Sequence, residues 1–85
     1  MYFVYVIENL KKNWYIGFTN NLKKRLKQHN NNETYTTKRL GGPWRIIYME
    51  GSLQKYDAQK RERFLKTSHG REYLQKRLKN YLSNN

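Results

Sequence analysis

Apolar residues along this chain form three short runs and then recur at helical spacing. Tyr2-Phe3-Val4-Tyr5-Val6-Ile7 is β-branched and aromatic throughout, the composition of a buried strand. Glu8 to Asn13 is polar and turn-rich, and Trp14 to Phe18 is a second apolar run, so the two predict a hairpin. Side chains alternate along a strand, so Phe3, Tyr5 and Ile7 share one face, and Tyr15 shares its own with Asn13 and Gly17. Pairing register decides whether the two phenols meet. Thr19, Asn20 or Asn21 is placed to cap a helix whose apolar positions are Leu22 and Leu26, and the Asn30-Asn31-Asn32 tract stops it. Residues 30–43 read as a long, polar and basic loop ending in Gly41-Gly42-Pro43. Trp44 to Met49 is a third strand, ended by Gly51-Ser52. From Leu53 to Lys66 the pattern is helical, with Asp57 in the first turn where the helix dipole favours an anion. A last helix, capped by Ser68 and carrying Tyr73, Leu74, Leu78 and Tyr81, runs to a frayed tail at 83–85. Three strands and about three helices in one domain, residues 1–82, make an α+β chain.

Composition sharpens this picture. At 85 residues the domain is near the lower size limit for one core, and it has no Cys to brace it. Hydrophobic residues are 36% of the chain and aromatic ones 15%, with Tyr supplying 8, so the core is built on rings and branched chains. Lys and Arg number 18 against 6 Asp and Glu, a formal charge of +12, which points to a polyanionic partner. The cations are interleaved with Tyr, Asn and Thr rather than set opposite a wide apolar helix face, which favours nucleic acid over a membrane. The first apolar run is too short for a signal peptide or a membrane span. A soluble, cytoplasmic monomer is expected.

Candidate chemistry starts with Glu62. Ala58, Glu62 and Leu65 fall within about 60° of one another on a helical wheel, so a carboxylate occupies an apolar face. A buried anion needs a partner. The partner is either a cation, Lys66 or Arg25, or a divalent metal held next to a phosphodiester. Arg25 lies at the edge of the Leu22–Leu26 stripe, from which its fork of donors reaches towards a phosphate or simply adds to the basic surface. His29 ends the same helix near the stripe, as a packed or capping residue or as a functional one, where the dipole favours a cation. Lys23, Lys24 and Lys27 point mostly away from the stripe. With Tyr35, Thr36, Lys38 and Arg39 of the long loop, they form a nucleic-acid-binding set. His69 is read as a surface residue.

Taken together, Phe3-Val4-Tyr5, Tyr15-Ile16-Gly17, Arg25, His29 and Glu62 resemble the signature of the GIY-YIG nuclease superfamily. Tyr15 follows Tyr5 by ten residues and Arg25 follows Tyr15 by ten. The length, Tyr35-Thr36 and the Arg61-Glu62 helix are similar to its small stand-alone bacterial group. The second tripeptide is intact, the first has Phe3 for its leading Gly, and Asn80 is the candidate for a late Asn of some homing members. The resemblance implies a three-stranded antiparallel sheet flanked by helices, and hydrolysis of a DNA strand with a divalent metal, Mg²⁺ foremost and Mn²⁺ next. It implies Glu62 as metal ligand and Arg25 as the group offsetting phosphoryl charge. Tyr5 is then the base, Tyr15 orders the water or phosphate, and His29 is an alternative base or phosphate-orienting group. A free phenol, with its pKa of ~10, needs nearby cations to lower it for a base role. The substrate expected is DNA, with RNA as a further possibility, and low intrinsic sequence specificity. The alternative is a catalytically weak or inert nucleic-acid-binding domain on the same basic surface. An adaptor presenting the domain to a protein partner has no positive signal.

Overall fold

The computed structural model describes residues 1–84. Strands β1 (Tyr2–Glu8), β2 (Trp14–Thr19) and β3 (Arg45–Ser52) form an antiparallel sheet in the order β2-β1-β3. Helices α1 (Leu22–Asn30) and α2 (Tyr35–Leu40) separate β2 from β3, and α3 (Lys55–Leu65), α4 (Ser68–Arg77) and α5 (Lys79–Ser83) follow. Because β1 is central and covered on both faces, it is apolar on both. Val4 and Val6 pack with Ile16, Ala58, Leu65 and Leu74 in one layer. Tyr5 and Ile7 pack with Trp44, Leu22, Leu26, Leu40 and Ile46 in the other. A bulge between Val6 and Ile7 gives β3 one extra residue, so Val6 faces Tyr48 while Ile7 faces Ile46. Ile46 thereby joins the Tyr5 layer, while Ile47 and Tyr48 pack in the other.

The predicted loop is not structureless, because its middle is α2. Two threonines in six residues make a poor isolated helix, below the length at which helices persist alone in water. Tertiary bonds hold it. Thr37 is buried, and Gly41 ends the helix at φ +89°, a region that favours glycine. Asn9 Nδ2 donates to the Gly41 carbonyl at 2.8 Å. Asn30 clamps Trp44 from both sides, accepting from its backbone N–H at 2.6 Å and donating to its carbonyl at 3.1 Å.

The C-terminal helix also differs from expectation. Its cap is Thr67, whose hydroxyl accepts from Gly70 N at 3.1 Å, and it breaks at Leu78 into α4 and α5. A Cβ on Gly70 would lie 2.1 Å from the Phe64 carbonyl oxygen, so only glycine lets α4 turn this closely against α3. Ser83 still belongs to α5, Asn84 follows it, and position 85 of the expected tail lies outside the described residues. Glu8, read as turn, is instead the buried end of β1. Trp14 Nε1, Tyr81 Oη and Arg45 Nη2 all donate to it, and those donors hold its pKa below the usual value despite burial. Among the described residues no helix is long and apolar enough to cross a membrane.

Candidate active site

The hairpin register places Tyr5 opposite Gly17 and Ile7 opposite Tyr15, so both phenols lie on one face of the sheet. Gly17 makes this possible. A Cβ there would stand 2.6 Å from Tyr5 Oη, 2.9 Å from Tyr5 Cζ and 3.2 Å from Tyr15 Cε1. The Tyr5 ring therefore lies across Gly17, with the two ring centroids 6.5 Å apart.

The first helix supplies the cations. Asn21 is its cap, accepting from Lys24 N at 3.1 Å, which fixes the phase at which Leu22 and Leu26 meet the sheet. Arg25, on the next turn, sits beside both phenols and donates from Nη1 to Gln28 Oε1 at 3.0 Å. Burial works against its charge, but hydrogen bonding and attraction to Tyr5 and Tyr15 more than offset that, and its pKa is raised. Arg25 also lines a solvent-open groove of ≈ 310 Å³ with Phe18, Thr19, Asn20, Asn21, Lys24 and Gln28. Charge, amide donors and open space meet there, a setting suited to a phosphate.

His29 is fully buried beneath the two phenols, 4.9 Å from the Tyr15 ring centroid and 5.7 Å from that of Tyr5. Its Nε2 lies 2.7 Å from Tyr5 Oη. Its Nδ1 lies 2.9 Å from both Thr34 Oγ1 and Thr37 Oγ1, which also contact each other. Burial and then the charge of Arg25 lower its pKa to about 4, so the ring is neutral at pH 7, against the cation that the helix terminus favours. Both ring nitrogens are thus engaged by side chains, Nε2 by Tyr5 and Nδ1 by the two threonines. Tyr5 does not meet the condition of a lowered phenol pKa. Burial drives its pKa up to about 12, outweighing the hydrogen bond and charge of Arg25, while Tyr15 and Glu62 add to the rise.

Glu62 projects from α3 between the fully buried Ala58 and Leu65, its side chain 18% exposed. Its Oε2 is 3.3 Å from Lys66 Nζ, the ion pair that the sequence offers. The same carboxylate is near enough to Tyr5 to raise its pKa as a like charge. So Tyr5, Tyr15, Arg25 and His29 come together, and Glu62 acts on Tyr5 from α3. Among the described residues there is no group of three or more His, Cys, Asp or Glu side chains to enclose a metal. A single carboxylate that acts on the Tyr5 phenol offers hard oxygen donors, which fit Mg²⁺ or Mn²⁺, ions that keep water and substrate oxygens as their other ligands, and do not fit a closed structural zinc site.

Lys23, Lys24 and Lys27 are exposed on α1, and Tyr35, Thr36, Lys38 and Arg39 are exposed on α2 rather than on a loop. Sequence reasoning missed the steric role of Gly17 and the hydroxyls of Thr34 and Thr37. A pair of threonines three residues apart in a polar tract was the available signal.

Residues 1–76 match the GIY-YIG catalytic domain. The chain belongs to the GIY-YIG family, which is a family of nucleases. Within it the chain groups with small bacterial UPF0213 proteins. It is 39% identical to a UPF0213 protein of Clostridium perfringens over 66 residues, 78% of this chain and 71% of that one. It is 32% identical to the UPF0213 protein YazA of Bacillus subtilis over 65 residues, 76% of this chain and 66% of that one. Its fold is similar to the solution structure of a UPF0213 protein from Bacillus halodurans, with a TM-score of 0.53 and 29% identity, covering 87% of this chain and 82% of that one.

Proposed function

We propose that this GIY-YIG protein is a metal-dependent DNA endonuclease that nicks one strand, with low intrinsic sequence specificity. The observation that carries the reading is the Tyr5–His29 hydrogen bond lying beside the Arg25 guanidinium, with the Glu62 carboxylate acting on the same phenol. Arg25 binds the scissile phosphate from the groove and offsets charge that grows on its oxygens during attack. Glu62 would hold a divalent ion, Mg²⁺ or Mn²⁺, which when bound would supply Lewis-acid stabilisation of the leaving oxygen. Tyr15 orders the attacking water.

The base is the Tyr5–His29 pair. With its pKa at about 12, Tyr5 is ionised in only about one molecule in 10⁵ at pH 7, so a standing phenolate contributes little. Neutral His29 is the available acceptor. As Tyr5 Oη takes the proton of water, the phenol proton passes to His29 Nε2, leaving hydroxide to attack and an imidazolium behind. A phosphodiester at Arg25 cancels part of the positive field that lowers the pKa of His29, so proton affinity rises when substrate is present. Lys23, Lys24, Lys27 and the outer side of α2 bind the DNA backbone, which contributes affinity without sequence readout.

The test is nicking of supercoiled plasmid by purified protein in Mg²⁺ and in Mn²⁺, beside Glu62→Ala. The wild type is expected to nick and the variant to fail. Equal nicking by both points to a contaminant. No nicking by either favours the second reading, which rests on the +12 charge: an inert nucleic-acid-binding domain.

A further inference from the structure

His29 has hydrogen-bond partners on both ring nitrogens, and the two sides are not alike. On the Nε2 side there is one oxygen, Tyr5 Oη. Two hydroxyl oxygens lie on the Nδ1 side, each at 2.9 Å, and they also touch each other. A neutral imidazole carries one N–H and one lone pair. A lone pair at Nδ1 accepts one hydroxyl hydrogen well and leaves the second oxygen facing it with lone pair against lone pair. An N–H at Nδ1 is instead shared between two oxygens, a three-centre arrangement of the kind common at helix termini. Thr37 is itself fully buried, so its hydroxyl has no solvent to turn to.

We propose that Thr34 and Thr37 are positioning residues that fix His29 in the Nδ1–H tautomer, leaving Nε2 as the acceptor for the Tyr5 hydroxyl. The proposal rests on the nuclease reading only for its consequence, because the tautomer is a property of the free protein. Its consequence is direct: in the opposite tautomer Nε2–H donates to Tyr5 Oη, and the phenol has nowhere to send its proton. Fixing a histidine tautomer through the far nitrogen is how orienting groups act in other acid–base sites. Here neutral hydroxyls, one just before a short helix and one on it, replace a carboxylate, which keeps the site from gaining a negative charge next to Arg25. Thr37 lies on the inner side of α2, whose outer side carries Tyr35, Lys38 and Arg39, so one six-residue helix serves both faces.

The experiment is a long-range proton–nitrogen correlation spectrum of ¹⁵N-labelled wild-type protein at neutral pH. The expected pattern for His29 is a protonated Nδ1 and an unprotonated Nε2. The reverse pattern overturns the proposal, whether or not the protein cleaves DNA. A second arm uses Thr34→Val with Thr37→Val, and Thr37→Ser as the conservative control. The double variant is expected to lose the wild-type tautomer pattern and about a hundredfold in nicking rate at unchanged DNA affinity, while Thr37→Ser retains both. A double variant with wild-type tautomer and rate overturns the assignment. If it does not fold, the wild-type spectrum decides alone. A wild type with the expected tautomer and no nicking overturns the nuclease reading and leaves this one standing.

Discussion

Tyr5 can lie flat across its neighbouring strand because position 17 has no Cβ, and the stacked order Gly17, Tyr5, His29, Thr37 runs inward from there. Gly17→Ala is therefore expected to destabilise the protein by about 1–3 kcal/mol through overpacking and to displace the phenol, lowering cleavage as well. Chemical denaturation paired with a nicking assay measures both. An alanine variant of unchanged stability and rate contradicts the packing described. His29 gives a second prediction, on pH. Its pKa falls from 6.5 to about 4 on folding, so the unfolded chain binds the extra proton first. Stability is then full above pH 6.5 and declines as the pH falls towards 4, by on the order of 2–3 kcal/mol. The paired carboxylate of Glu8 has a lowered pKa and adds its loss only at the acidic end of that range. Melting curves from pH 7 to 5 are expected to slope down for the wild type and to flatten for His29→Gln, whereas equal slopes contradict a neutral buried His29.

At the scale of elements, the strands, α1 and α3 were legible because apolar periodicity and the cap at Asn21 agree with their tertiary roles. Glu62 was legible for the same reason in reverse, as a carboxylate between two buried apolar residues. What was not legible is what long-range bonds decide. α2 exists because Thr37, Asn9 and Asn30 tie residues 30–44 to the sheet, and no local propensity announces that. Glu8 looked like turn because the three hydrogen-bond donors that hold it come from residues 14, 45 and 81. The rise in the Tyr5 pKa was not legible because Arg25 was visible in sequence while the depth of burial was not. Two predictions belong to this scale. Asn21→Ala is expected to cost about 1 kcal/mol by removing the acceptor for Lys24 N, measured by denaturation, and an unchanged midpoint contradicts the cap. Replacing Lys38 and Arg39 on α2 with Gln is expected to weaken DNA binding without changing the melting temperature. Unchanged affinity assigns DNA contact to another face.

For the molecule as a whole, the proposed function assigns binding to the charge and chemistry to the small cluster. With 18 basic residues against 6 acidic, many cations share the load, so affinity for DNA is expected to fall steeply with salt, with a log–log slope near −0.9 per phosphate neutralised. A flat salt response contradicts an electrostatic interface. If binding is distributed and cleavage is not, as proposed, the two are expected to separate cleanly at Tyr5. The most direct measurement is single-turnover cleavage and equilibrium binding of one labelled duplex by wild type and by Tyr5→Phe, both first shown to be folded, since losing the hydroxyl leaves His29 Nε2 without its partner at a cost of about 1–3 kcal/mol. The Tyr5→Phe rate is expected to be about a hundredfold or more lower at an affinity changed less than about twofold. An unchanged rate, or a rate and an affinity that fall together, contradicts a hydrolytic centre built on Tyr5 and His29.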